Sequence, residues 1–278
     1  MSHFIYHDLG RIEYEKALER QTAAFNALLE AKVQGRTGEN RLFFCEHQPV
    51  LTIGKSGKDT NLLIPEELLV QRGVSFYHIN RGGDITYHGP GQITGYPVFD
   101  LDTWKLGLKQ YIDRLEETII RFLAIYGIKG ERLAGAAGVW IDPGVPRKAR
   151  KICAIGVKSS RFVTMHGFAL NINTNLDYFS LINPCGFKDK GVTSLEKELG
   201  AEQDFEVAKA LIETVEQWGR ERGMEAIHGP LGFTDFDPEG MLIYGFDEVS
   251  TIACLYNHPY YPEFLTRMGF RKDAEWVE

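Results

Sequence analysis

The sequence predicts an α/β chain of the α+β type, a mixed sheet packed with helices, followed by a short C-terminal appendage. Three observations carry this. Two long stretches, 13–34 and 104–126, repeat apolar residues at helical spacing. Several short apolar segments succeed one another across glycine-rich turns, as hairpins do. Helices and strands do not alternate strictly, which argues against a purely parallel sheet.

The elements follow in order. Tyr14, Ala17, Leu18, Gln21, Ala24, Phe25, Leu28 and Leu29 give the first helix one apolar face, and "RTGEN" ends it. "RLFFCEH" (41–47) reads as a buried strand stopped by Gln48-Pro49, and "VLTIG" (50–54) as a second strand closed by "GKSGKD". Residues 65–72 form a short helix with Pro65 in its first turn. "VSFYHIN" (74–80) alternates as a strand, the run 81–92 reads as a glycine-rich turn, and "ITGYPVFDL" (93–101) is the next strand. Asp102 or Thr103 is expected to cap the helix 104–126, with Leu108, Tyr111, Ile112, Leu115, Ile119, Phe122 and Tyr126 on one stripe. Three further strands are "GVWIDP", "KICAIGVKSS" and "MHGFALNIN", and a helix is expected over 205–222.

The 278 residues are 44% apolar and 25% charged, with a formal net charge of −7. This is ordinary globular composition, and it lacks the basic balance of a nucleic-acid-binding domain. No apolar run reaches the roughly 20 residues of a membrane span. The N-terminus has neither the basic nor the apolar part of a signal peptide, so a cytoplasmic chain is expected. Cys45, Cys153, Cys185 and Cys254 are scattered and form no C-x-x-C pair, which points to reduced thiols and no metal site.

Four stretches carry chemistry. "RGGDITYHGPGQ" packs glycines, Arg81 and His88 into twelve positions. It suits backbone contact with a ligand but is neither G-x-G-x-x-G nor a phosphate-binding P-loop. "KICAIGVK" sets Lys151 on a partly buried strand, a costly position unless it is paired or used. Strict alternation would put Lys151, Cys153 and Ile155 on one face, with Cys153 as a small core residue. "MHGFALNIN" offers Gly167, Phe168 and Ala169 as the wall of a narrow slot, with His166 before them. In "INPCGF" (182–187), Pro184 and Gly186 hold Cys185 in a turn, where a nearby positive charge would favour the thiolate. Lys151 is one candidate for that charge, and His88 and His166 are available as bases.

These blocks, in this order, resemble the lipoyl(octanoyl) transferase family over about residues 4–205. The likeness lies in "FCEHQPVLTIGKSG", "RGGDITYHGPGQITGYPVFDL", "KICAIGVK", "TMHGFALNIN", "INPCGF" and "GVTSLEKELG". The resemblance implies the fold of the biotin and lipoate ligase catalytic domain. It implies transfer of an octanoyl (or lipoyl) group from acyl carrier protein to a lysine of lipoyl domains, in lipoate biosynthesis. The acceptors would be the E2 subunits of 2-oxoacid dehydrogenases and the H protein of glycine cleavage, and no cofactor is implied. Cys185 falls on the position of the acyl-thioester and Lys151 on the position that lowers its pKa. The acyl group would be held by Arg81, Gly82, Gly83, Asp84, Ile85, Thr86, Tyr87 and His88, by Ala154, Ile155 and Gly156, and by Gly167, Phe168 and Ala169. Arg147, Lys148 and Arg150 are expected to steer acidic partners. Two alternatives stand beside this: an ATP-dependent lipoate or biotin ligase, and a non-catalytic protein that binds lipoyl domains.

The resemblance divides the chain into a catalytic domain, 1–205, and an appendage, 206–278. The appendage resembles part of an acyl-CoA N-acyltransferase-like domain but has only about half the length such a domain needs. It reads as a docked appendage, a partner-binding tail or a truncated fusion.

Overall fold

A computed structural model describes residues 4–183 and 190–203. Cys185, Cys254, the helix expected over 205–222 and the appendage lie outside the described residues. The elements are β1 (Phe4–Ile12), α1 (Tyr14–Val33), β2 (Asn40–His47), β3 (Val50–Ile53), α2 (Glu66–Gln71), β4 (Ser75–His78), β5 (Ile85–His88), β6 (Gln92–Val98), α3 (Leu108–Ile125), β7 (Glu131–Leu133), β8 (Ala136–Ile141), β9 (Arg150–Ser160), β10 (Val163–Asn171), β11 (Gly191–Val192) and α4 (Leu195–Leu199).

The main sheet runs β1-β2-β6-β10-β9-β8-β7, with β11 added alongside β9. The β1–β2 and β9–β11 pairs are parallel and the others antiparallel, so the sheet is mixed as expected. A second, three-stranded sheet runs β4-β3-β5.

Helix α1 buries Tyr14, Ala17, Gln21, Ala24, Phe25, Leu28 and Ala31, the face that its spacing predicts. That face meets Phe43, Cys45, Tyr96, Val98, Val163 and Met165 on one side of the main sheet. Helix α3 covers the other side through Tyr111, Ile119, Phe122 and Leu123, against Phe44, Phe99, Val139, Phe168 and Leu170. All nine residues of β10 are buried.

The structure corrects the start of α3. The chain makes a 3-10 turn at Leu101–Trp104, reaches φ 54° at Lys105 and enters the helix at Leu108. Neither Asp102 nor Thr103 caps it. The Asp100 carboxylate accepts from Asp102 N, and Lys32 Nζ, at the end of α1, bridges Asp100 (2.5 Å) and Asp102 (2.6 Å). These aspartates therefore hold α1 to the turn. The Gly107 N–H is met instead by Gln110 Oε1 at 3.0 Å.

Gly167 shows where the sheet needs the absence of a side chain. A Cβ there would overlap the Gly95 carbonyl oxygen and come within 2.5 Å of the Pro97 ring. Both obstacles lie on a neighbouring buried strand that cannot move aside cheaply. Gly167→Ala is therefore expected to cost about 1–3 kcal/mol of stability. An unchanged urea midpoint for that variant would contradict this packing.

Candidate active site

A cleft of about 480 Å³ lies between β6, β9 and β10 of the main sheet and the β5 edge of the small sheet. Glycines let the two sheets approach. Gly156 pairs with Gly167 across β9 and β10, and a Cβ on Gly156 would come within 2.9 Å of Gly82 O. The Gly82 N–H instead donates to Val157 O at 2.9 Å, tying the loop before β5 to β9.

The expected acyl-binding residues converge here, with two exceptions. Arg81, Gly83, Asp84, Ile85, Thr86, His88, Ala154, Ile155, Gly156, Gly167, Phe168 and Ala169 all line the cleft. Gly82 does not line it, and packs against β9 by its backbone. Tyr87 points away, fully buried, with its ring stacked on Tyr178 at 4.7 Å. The reason is that 85–88 is a strand, β5, paired with β3, and not part of an open turn: Thr86 and His88 share the cleft face, while Ile85 and Tyr87 pack into the core of the small sheet, where Ile85 at the strand's start still borders the cleft. The Arg81 guanidinium is buried and donates to Thr52 O, Thr52 Oγ1 and Gly82 O at 2.9–3.0 Å.

Lys151 lines the cleft, and its placement corrects the strand reading. Val139 pairs with Cys153 but Trp140 pairs with Lys151, so β9 carries one extra residue, Ile152. Such a bulge breaks the alternation of faces. Cys153 consequently joins the core at zero exposure, while Lys151 Nζ sits 3.2 Å from Ala137 O and 4.6 Å from the Trp140 ring centroid. Cys45 and Cys153 are both free thiols, and burial pushes both well above the ordinary thiol pKa. Neither is a suitable nucleophile.

Arg150 is not turned to a partner. It grips Glu198 of α4 with two nitrogens (2.6 and 2.5 Å) and Asp142 with a third contact at 2.6 Å, and Thr193 is tied into the same cluster through Glu198. It therefore fixes β11 and α4 beside Lys151. Arg147 and Lys148 are exposed.

The chain matches the lipoyl protein ligase A/B catalytic domain family over residues 13–216. It is 76% identical over 215 residues to an octanoyltransferase of Parabacteroides distasonis, covering 77% of this chain and 97% of that protein. It is 55% identical over 214 residues to an octanoyltransferase of Bacteroides fragilis, covering 77% and 94%. The chain belongs to the octanoyltransferase family. The octanoyltransferase of Porphyromonas gingivalis is 59% identical over 214 residues, and that match takes up only 44% of its length. Solved structures agree on the fold at low identity. A lipoate-protein ligase A bound with ATP has a TM-score of 0.56 at 16% identity, covering 82% of this chain and 88% of that one. A bipartite lipoate protein ligase from Thermoplasma acidophilum has a TM-score of 0.60 at 15% identity, covering 84% and 89%.

As a member of the octanoyltransferase family the chain is an acyltransferase, and its cleft holds polar groups that the sequence reading passed over. Tyr14, Gln92, Thr94, Tyr96, Asn171 and Lys190 also line it. Gln92 closes the glycine-rich run and Asn171 sits in "MHGFALNIN". The histidines around this octanoyltransferase cleft are neutral. Burial lowers His47 to about 4, and burial with the neighbouring Arg81 lowers His166 to about 3. Burial, His47 and Arg81 lower His88 to about 3. His47 Nδ1 meets Ile12 O at 2.9 Å, and its Nε2 meets Tyr96 Oη at 2.7 Å. Among the described residues no helix is long and apolar enough to cross a membrane.

Proposed function

We propose that this acyltransferase of protein lipoylation carries its octanoyl (or lipoyl) group on Cys185 and uses Lys151 to move the protons. The position of the Lys151 amine inside the cleft carries the reading. Lys190 and Gly191, which follow Cys185 closely in sequence, line the same cleft and so support it.

The chemistry balances without ATP. The Cys185 thiolate attacks the acyl-thioester of octanoyl-acyl carrier protein, a new C–S bond forms and the old one breaks. The departing sulfur takes a proton from the Lys151 ammonium, leaving a neutral amine. A neutral lysine of a lipoyl domain then attacks the enzyme-bound thioester. Its nitrogen gives one proton to Lys151 as the C–S electrons return to Cys185, restoring thiolate and ammonium. The acceptors proposed are E2 lipoyl domains and the glycine cleavage H protein. Residues 206–278 are proposed as an appendage to this domain, and a fragment ending near 205 that lost acyl transfer would contradict that division.

Intact-protein and peptide mass spectrometry tests the reading. Octanoyl-acyl carrier protein should leave an octanoyl mass on Cys185 that hydroxylamine removes and that passes to a lipoyl domain without ATP. Cys185→Ala should show neither the adduct nor the transfer. Pyrophosphate release coupled to acylation would identify a ligase instead.

A further inference from the structure

We propose that Gln92 fixes the tautomer of His88, so that the imidazole presents a bare Nε2 to the amine attacking the acyl group. This rests on the acyl-thioester reading above.

The tautomer follows from a directed chain of hydrogen bonds. At its far end Asn171 Nδ2 donates to the Thr193 backbone carbonyl at 3.0 Å. That leaves Asn171 Oδ1 to accept from Gln92 Nε2 at 2.9 Å. Gln92 Nε2 also donates to Tyr87 O at 3.1 Å, which uses both of its hydrogens. Gln92 Oε1 is therefore the atom facing His88 Nδ1 at 2.8 Å, and an amide oxygen only accepts. His88 Nδ1 must carry a hydrogen. Gln92 is 1% exposed and Asn171 3%, so solvent does not offer either amide a competing arrangement.

The surroundings keep the ring from taking a second proton. His47 on β2, His166 on β10 and Arg81 before β5 face His88, and Tyr14 of α1 stacks on it at 6.0 Å. With Nδ1 protonated and the ring neutral, Nε2 holds a lone pair. His88, Gln92 and Asn171 all line the cleft.

A neutral amine brings two hydrogens and one lone pair to the thioester. In the reaction above, one hydrogen leaves for Lys151. The other needs an acceptor that holds it without removing it, so that the nitrogen lone pair points at the carbonyl carbon. A neutral imidazole Nε2 does this, and His88 ends the step with the proton count it began with. Gln92 touches no reacting atom and acts through His88 as a positioning residue.

The experiment follows the two half-reactions separately by mass spectrometry in single turnover, loading from octanoyl-acyl carrier protein and unloading to a lipoyl domain. In Gln92→Leu nothing is left to accept from His88 Nδ1, so the neutral ring is free to carry its hydrogen on Nε2, which then donates where it should accept. Unloading at neutral pH should slow about tenfold more than loading does. Equal losses in both steps, or none, would overturn the inference. Imidazole nitrogen NMR on the unmodified protein gives a check that needs no variant. A hydrogen on His88 Nδ1 supports the inference, and one on Nε2 overturns it. If the unmodified protein carries no adduct on Cys185, the acyl-thioester reading fails, and this inference fails with it.

Discussion

Lys151→Met is expected to lower acyl transfer about 10²- to 10⁴-fold at neutral pH while leaving the fold intact. Methionine keeps an unbranched side chain beside the Trp140 ring, where Lys151 Nζ now lies 4.6 Å from the centroid. Only the amine is lost. Both half-reactions should suffer, because the same nitrogen supplies the proton to the departing sulfur and takes one from the attacking amine. The pH dependence separates this from a merely structural role. Alkylation of Cys185 in the variant should follow a thiol of ordinary pKa, about 8.5. The parent thiol should react at lower pH. An alkylation profile that the substitution does not move would remove Lys151 from the mechanism.

Acid should unfold the protein in a window set by its buried histidines. His47, His88 and His166 sit at about 4, 3 and 3 in the folded chain, against 6.5 for the free side chain. Their folded values are depressed, so the unfolded chain binds more protons between about pH 3 and 6.5. Stability is then complete above about 6.5 and falls as pH drops below it. At pH 5 each histidine accounts for about 2 kcal/mol of lost stability, or about 6 for the three, a large part of a typical domain's total. The carboxyls of Glu117, Asp142 and Glu198 are held low by arginines and begin to lose their contribution only below about 4.5. Urea midpoints measured from pH 7.5 to 5 should fall steeply, with uptake of about three protons per unfolding event near pH 5. Midpoints that stay level across that range would contradict neutral burial of these rings.

What the sequence discloses depends on whether a rule of spacing survives packing. Helix α1 was legible because nothing interrupts its repeat. The β9 residues were half legible: the cost of a buried lysine flagged Lys151, but nothing in "KICAIGVK" announces Ile152 as a bulge. Strand β5 was hidden because glycines on both sides make "RGGDITYHGPGQ" look like one turn. Strand β1 went unread because Gly10, at φ 55°, and a register shift between Asp8 and Arg11 break its alternation. The block from Arg81 to His88, expected to hold the acyl group, lines the cleft except at Gly82 and Tyr87, and only the pairing of β5 with β3 reveals that Tyr87 turns away. Gln92 escaped notice since its role lies in which atom of its amide faces which neighbour, and composition carries no such direction.

Strand β10, buried along its whole length, has a kinetic consequence for the cleft it helps to build. Its residues are buried along the whole strand and its backbone pairs with β6 and β9, so its amides are expected to exchange with deuterium among the slowest of the described residues. The cleft wall that β10 supplies, from His166 to Ala169 and at Asn171, is therefore expected to be among its most slowly opening parts.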